Sequence, residues 1–203
     1  MINATGVILA GGKSSRMGAN KALINIGKKG MIERVASELE KVCAEVLVSG
    51  GDEKNGKQLG LKVVPDMIPG RGPLSGIHAS LHVAEYDICL VAACDMPFIR
   101  AELASLMLQE VKGYDAAVPR HGIYLQPLFA VYCKSCLPAL EGYLNSGGIA
   151  VAKSLPLLRV NYVSEEKVGL LTDVETVFFN VNTPEDLTKA RKMDRKTKEN
   201  SQI

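Results

Sequence analysis

The sequence predicts an α/β fold with a mainly parallel sheet, and three observations carry that expectation. Short apolar runs alternate with longer amphipathic segments along the chain. Two of the runs, residues 6–10 and 88–94, are apolar throughout, as strands buried on both faces must be. Residues suited to ligands stand just past the runs, and open α/β sheets bind at the carboxyl ends of their strands.

The elements follow in order. The first strand, 6–10, stops at Gly11-Gly12. Ile32, Val35, Ala36, Leu39 and Val42 then recur at the spacing of one helix face. Runs 45–49 and 61–64 read as strands because Gly or Pro bounds them. Run 88–94 is the most apolar and belongs at the sheet centre. Leu103, Leu106, Met107 and Val111 mark a second helix. Strands are expected at 116–118, 128–132, 159–163 and 177–179. The last helix has Thr183 as N-cap, Pro184 at its first position and Glu185 and Asp186 in its first turn. Residues 1–190 are expected to form one domain, and 191–203 a charged, frayed tail.

Composition removes several function classes. A chain of 203 residues with 47% hydrophobic and 23% charged residues builds an ordinary core, which excludes disorder and coiled coil for its bulk. A net charge of +2 is too small for a dedicated nucleic-acid binder, and with no Trp the chain lacks material for base stacking. No apolar run is long enough to span a bilayer, and residues 1–5 carry no positive charge of the kind that opens a secretory signal. Five Cys residues form an odd set, three of them in apolar stretches, so a reducing cytoplasm is the expected compartment.

The loop Leu9-Ala10-Gly11-Gly12-Lys13-Ser14-Ser15-Arg16-Met17-Gly18-Ala19-Asn20-Lys21 is the main chemical signal. Its paired glycines let backbone N–H groups turn toward an anion, and Arg16 and Lys21 add positive charge, so a phosphate is the expected guest. It is not a Walker A loop, because Val7 stands where the first Gly is required. Gly11-Gly12-Lys13 also fails the dinucleotide fingerprint, and Gly70 to Gly76 is one residue too long and carries Pro73. Asp95, after the central strand, reads equally as a Mg²⁺ ligand facing the phosphate loop or as a helix N-cap near Pro97. Asp66 has the same ambiguity beside a turn at Pro69-Gly70. Asn180 and Asn182 bracket a strand-to-helix turn, where Asn is commonly only a turn former. Cys133-Lys134-Ser135-Cys136 is a lone C-x-x-C without a second pair, and His78 and His82 lack the Glu of a zinc-protease helix.

Taken together these motifs resemble the nucleotidyltransferases that modify molybdopterin. The resemblance runs from Gly6 to about Leu187. It includes Leu9-Ala10-Gly11-Gly12, Arg16-Met17-Gly18, Lys21-Ala22-Leu23, Asp66, Gly72-Pro73-Leu74-Ser75-Gly76-Ile77 and Ala93-Cys94-Asp95-Met96-Pro97-Phe98, in that order. Gln126-Pro127-Leu128-Phe129-Ala130-Val131-Tyr132 and Asn180-Val181-Asn182-Thr183-Pro184-Glu185-Asp186-Leu187 complete the set. It implies a Rossmann-like three-layer sandwich of nucleotidyltransferase (nucleotide-diphospho-sugar transferase) type. Gly12 after Gly11, and Met96 after Asp95, are similar to the guanylyl-transferring branch rather than the cytidylyl one.

The resemblance implies transfer of GMP from GTP to the phosphate of Mo-molybdopterin, with release of pyrophosphate. It implies that Leu9, Ala10, Gly11 and Gly12, with Lys21, Asp66 and Asp95, bind GTP. Asp95 would also hold Mg²⁺, and Asn180 and Asn182 would lie on the molybdopterin side. Arg16, Lys21 and Asp95 are the catalytic candidates. Two departures stand out. Ser49-Gly50-Gly51-Asp52 occupies the place where relatives often carry a nucleotide-contacting Asn. Ile149-Ala150-Val151-Ala152 replaces a more basic stretch, leaving Lys153 or Arg120 as candidate holders of the pterin phosphate. Rival expectations are a cytidylyltransferase or sugar-phosphate nucleotidyltransferase on the same scaffold, or a non-catalytic nucleotide-binding adaptor. A monomer is expected, meeting molybdoenzymes or other cofactor-biosynthesis proteins but no nucleic acid and no membrane.

Overall fold

A twisted eight-stranded sheet positions everything else. The computed structural model describes residues 1–11, 24–50, 56 and 59–200. The strands are β1 (Ile2–Leu9), β4 (Cys43–Ser49), β5 (Lys62–Val64), β6 (Ile88–Ala93), β7 (Ala116–His121), β8 (Tyr124–Leu125), β9 (Phe129–Cys133) and β10 (Val160–Val163). A two-stranded hairpin of β2 (Asn25–Ile26) and β3 (Lys29–Gly30) stands apart. The sheet order is β10-β7-β9-β6-β1-β4-β5, with β8 paired to β7. All pairings along that order are parallel except those of β9, which runs antiparallel to both β6 and β7.

Helices cover both faces. They are α1 (Met31–Leu39), α2 (Pro73–Val83), α3 (Ala101–Glu110), α4 (Leu137–Asn145), α5 (Val151–Ser154), α6 (Glu165–Gly169), α7 (Val174–Val177) and α8 (Pro184–Asn200). Strand alternation sorts the core into two layers. Ala4 and Ile8 of β1 pack with Ile32, Val35 and Leu39 of α1 and with Leu103 and Met107 of α3. Val7 and Leu9 of the same strand pack with Leu74, Ile77 and Leu81 of α2 and with Leu140 and Leu144 of α4. The expected three-layer α/β architecture is therefore present.

Several elements differ from the sequence reading. The run 177–179 is not a strand. Asp173 accepts a hydrogen bond from the Thr176 N–H at 2.8 Å and caps the short helix α7, and Val177 and Phe178 enter the core from its end. A three-residue apolar run carries no period that separates the two outcomes. Val42 lies past the end of α1, where its N–H bonds the Leu39 carbonyl at 3.0 Å. α2 gave no periodic signal because every residue from Leu74 to Leu81 is buried. The boundary expected at 190 falls inside α8. Thr183 and Asp186 cap that helix reciprocally at 3.1 and 2.9 Å, and its Ala190 and Asp194 are buried. Residues 191–200 thus continue an anchored helix rather than starting a loose tail. Among the described residues, no helix is long and apolar enough to cross a membrane.

Arg34 on α1 ties three segments together. Its Nε donates to the Pro97 carbonyl at 3.1 Å, and Nη1 donates to the Ile26 carbonyl at 3.2 Å and to the Asp194 carboxylate at 2.7 Å. Arg34→Met leaves the buried Asp194 carboxylate without its guanidinium and should cost about 3–5 kcal/mol in chemical denaturation. Arg34→Met/Asp194→Leu should recover much of that loss, which a double-mutant cycle measures.

A second ion pair gives the fold a pH signature. Hydrogen bonds from the Arg159 side chain hold the Asp115 carboxyl down to about 2. The folded acid is harder to protonate than the unfolded one, so its contribution is complete above about pH 4 and disappears as pH falls toward its folded value. Asp115→Asn should flatten the acid limb of a stability-versus-pH curve in that window, and an unchanged limb would contradict the assignment.

Candidate functional site

The strand ends are brought to one level by their register. Leu9 pairs with Ser49 on one side and with Ala93 on the other, and Ser49 pairs with Val64. One step further, Ala10 N–H donates to the Ser49 carbonyl at 2.9 Å, Gly50 N–H to Val64 at 3.0 Å and Cys94 N–H to Leu9 at 3.0 Å. Beyond those bonds the chain leaves the sheet at Gly11, Gly50, Asp66 and Asp95. From β1 the chain builds β4 and β5 on one side and then places β6 on the other. That reversal beside β1 is where open α/β sheets leave a crevice for ligands.

A cleft of about 230 Å³ opens at this edge, lined by Leu9, Gly11, Gly50, Asp66, Gly72 and Gly76 among others. Its walls are largely backbone. Gly50 has φ 68°, and a Cβ there would stand 3.0 Å from the Gly11 Cα. A Cβ on Gly76 would collide with the Ser49 Oγ. Gly72, with φ 62°, turns the chain into α2, whose first position is Pro73. The N-terminus of that helix borders the cleft and adds positive potential. Because the Ala10 N–H is already engaged by Ser49, Ala10 can meet a ligand through its carbonyl.

The two acids stand at opposite ends of this edge. Asp66 follows β5, is exposed to solvent on one side, and has its carboxyl raised by partial burial. Asp95 follows β6 and is half-buried. It is not a helix cap, since α3 begins only at Ala101 with Arg100 before it. Three strand spacings separate β6 from β5, roughly 14 Å at the usual interval. One metal ion cannot bridge the two carboxylates; they can instead bracket an elongated ligand.

The Asp95 carbonyl accepts the Val181 N–H at 2.9 Å, which places Asn180 and Asn182 beside the end of β6. Val181 is buried, while Asn180 is half-buried and Asn182 exposed, so both amides lie on the outer side of the coil that leads into α8. Asn180 Nδ2 also makes a turn bond to the Phe178 carbonyl at 3.0 Å. Leu9, Ala10, Gly11, Asp66 and Asp95 are thus on one edge. Gly12, Arg16 and Lys21 lie outside the described residues.

Ser49 and Gly50, which the sequence offered only as a departure from the related proteins, and Gly72 and Gly76, which it offered only within a family motif, prove to line the cleft. Arg71 was overlooked; its Nη1 donates to the Gly147 carbonyl at 3.4 Å, holding a cation between α2 and the turn after α4. Lys153 is exposed on α5, and Arg120 is exposed with its Nε on the Gly122 carbonyl at 3.0 Å. Cys133 and Cys136 turn to different carbonyls, those of Tyr114 and Asp115. Burial raises their thiols to about 11 and about 12, so neither forms a ready thiolate. A larger cleft, about 300 Å³, lies between α1 and residues 97–100. Its Arg34 and Asp194 already satisfy each other, and it faces no row of strand ends, so the smaller cleft is the candidate site.

Comparison with known proteins gives the family of the chain. Residues 6–159 match the family model of the MobA-like NTP transferase domain. A probable molybdenum cofactor guanylyltransferase of Pelotomaculum thermopropionicum is 60% identical over 193 residues, covering 95% of this chain and 94% of that protein. The crystal structure of molybdopterin-guanine dinucleotide biosynthesis protein A from Archaeoglobus fulgidus superposes with a TM-score of 0.82 at 31% identity, covering 95% of this chain and 99% of that one. A CMP:2-keto-3-deoxy-manno-octonic acid synthetase complexed with CTP shares the fold, with a TM-score of 0.71 at 20% identity and coverage of 97% and 100%.

The close approach of Gly50 to Gly11 has an internal control. Gly60 has nearly the same backbone angle, φ 67°, but nothing within 4 Å of an added Cβ. Gly60→Ala should cost only the backbone strain, about 1–2 kcal/mol. Gly50→Ala should cost about 1–3 kcal/mol more, because the obstacle is backbone that cannot rotate away. Equal losses in denaturant titrations would remove the constraint.

Proposed function

We propose, because the chain belongs to the MobA-like NTP transferase family and is a nucleotidyltransferase, that it transfers GMP from GTP to the terminal phosphate of molybdenum-bound molybdopterin. The observation that carries this reading is the level row of strand ends, with Asp66 lining a glycine-rich cleft and Asp95 past the end of β6 on the same edge. The 60% identity to a protein named as a guanylyltransferase supports GTP as the donor.

The reacting groups define what the residues must do. A phosphate oxygen of the acceptor bonds to the α-phosphorus of GTP, and the bond from that phosphorus to the bridging oxygen breaks, releasing pyrophosphate. The nucleophile is already an anion, so no serine, cysteine or histidine has to be activated. The barrier lies in bringing two anions together in line, and it is lowered by positioning and charge neutralisation. We assign the Leu9, Ala10, Gly11 and Gly12 backbone and Asp66 to holding GTP. Arg16 and Lys21 neutralise its β- and γ-phosphates and the departing pyrophosphate. Asn180 and Asn182 orient the pterin side, which the Val181–Asp95 bond keeps next to the reacting end.

Asp95 suits a hard divalent cation: a half-buried carboxylate at a strand end, six residues ahead of α3 and too far from Asp66 to share an ion with it. It would hold Mg²⁺ together with substrate phosphate oxygens and water. When bound, Mg²⁺ supplies Lewis-acid polarisation of the phosphoryl group. The proposed setting is a reducing cytoplasm, which suits five cysteines that are all free, and the proposed acting species is a monomer.

Lys21→Ala and Asp95→Ala should each lower turnover on the order of a thousandfold while leaving the unfolding transition in place. Pyrophosphate release with GTP, molybdenum-bound molybdopterin and Mg²⁺ measures this, and CTP should not replace GTP. Near-wild-type turnover in either variant would remove the assignment.

A further inference from the structure

Away from the nucleotide cleft, two histidines and a glutamate meet between α2 and α4. His78 and His82 are one turn apart on α2, and Glu141 reaches across from α4. His82 Nε2 lies 2.8 Å from Glu141 Oε1, His78 Nε2 lies 3.4 Å from the same oxygen, and the two Nε2 atoms are 3.2 Å apart. His78 is buried, at 3% exposure, and its Nδ1 has no hydrogen-bond partner. The ring's polar contacts therefore all run through the nitrogen aimed at this cluster.

Protons satisfy this arrangement only loosely. The Glu141 oxygen can accept an Nε2 proton from each ring, but the His78 contact is then long, at 3.4 Å, and the two protonated Nε2 atoms face each other at 3.2 Å. A cation at the centre accepts all three lone pairs at once. The three separations also suit one: ligands about 2.0–2.1 Å from a tetrahedral zinc ion stand about 3.3 Å from each other. Two imidazole nitrogens and one carboxylate favour a transition metal over Mg²⁺ or Ca²⁺, which take oxygen ligands.

We propose that His78, His82 and Glu141 form a binding site for a divalent transition cation of the zinc class, separate from the nucleotide site. The ion is held by three protein atoms. Its remaining position opens to solvent, because the His82 and Glu141 side chains are 33% and 42% exposed. Bound there, it staples α2 to α4. The N-terminus of α2 borders the nucleotide cleft through Gly72 and Gly76, so the staple stiffens one wall of that cleft.

The test uses the full chain stripped of metal with a chelator and then titrated with Zn²⁺ by calorimetry and with Co²⁺ by visible absorption. One equivalent should bind, with a Co²⁺ spectrum of nitrogen and oxygen ligation and no thiolate charge-transfer band. His82→Ala removes a partly exposed ligand and should unfold at the same temperature as the metal-free wild type. It should bind about a hundredfold or more weakly, and Glu141→Gln should weaken binding as well. Zn²⁺ should raise the unfolding temperature of the wild type but not of His82→Ala. Asp95→Asn should bind Zn²⁺ as the wild type does, which separates this site from the nucleotide centre. Absence of saturable one-equivalent binding, or binding unchanged in His82→Ala, would overturn the proposal.

Discussion

The structure depends on the shared register of four parallel strands. β5, β4, β1 and β6 end together because Leu9, Ser49, Val64 and Ala93 stand in one row of backbone hydrogen bonds. A slip of one residue between any two would turn core side chains outward, since strand faces alternate at every position. The burial of Val7, Ile8, Leu47, Val48, Leu90 and Val91 on both faces therefore fixes where the ligand edge stands. The chemistry at that edge is inherited from packing several residues away.

Glycine completes what the register begins. Gly11 and Gly50 bring backbone against backbone, and Gly76 lets the Ser49 side chain stand against α2 where a Cβ would collide with it. The resulting cleft is shallow in polar side chains and rich in main-chain groups. That suits a ligand whose charge lies in phosphates and whose base is read by backbone atoms. The two acids stand three strand spacings apart, and the proposed function has them act at the ends rather than as a pair. Two nearby carboxylates would repel an incoming triphosphate, whereas separated ones let cations sit between them and it.

Much of this was legible from the residues. The uninterrupted apolar runs 6–10 and 88–94 identified the two strands that flank the reversal in sheet order. Thr183, Pro184 and Asp186 marked the start of the last helix in detail. What stayed hidden has physical causes. α2 is buried along nearly its whole length, so it shows no polar face and no helical period. The run 177–179 is apolar because it fills the core, and core filling does not distinguish a strand from a helix end. The anchoring of residues past 190 depends on Arg34, which is 160 positions from its partner Asp194. The pairing of Glu141 with the two histidines likewise appears only when two helices are laid side by side. From spacing alone Asp95 was as good a cap as a metal ligand, and the start of α3 at Ala101 removed the first of those readings.

The central claim is that GTP lies along the row of strand ends, spanning from Asp66 to Asp95. A crystal structure of the chain with GTP and Mg²⁺ tests it most directly. The account predicts nucleotide density over the Leu9–Gly11 backbone, with the triphosphate directed to the Asp95 end. Nucleotide bound instead between α1 and residues 97–100, or a cleft that stays empty at saturating GTP, would contradict it.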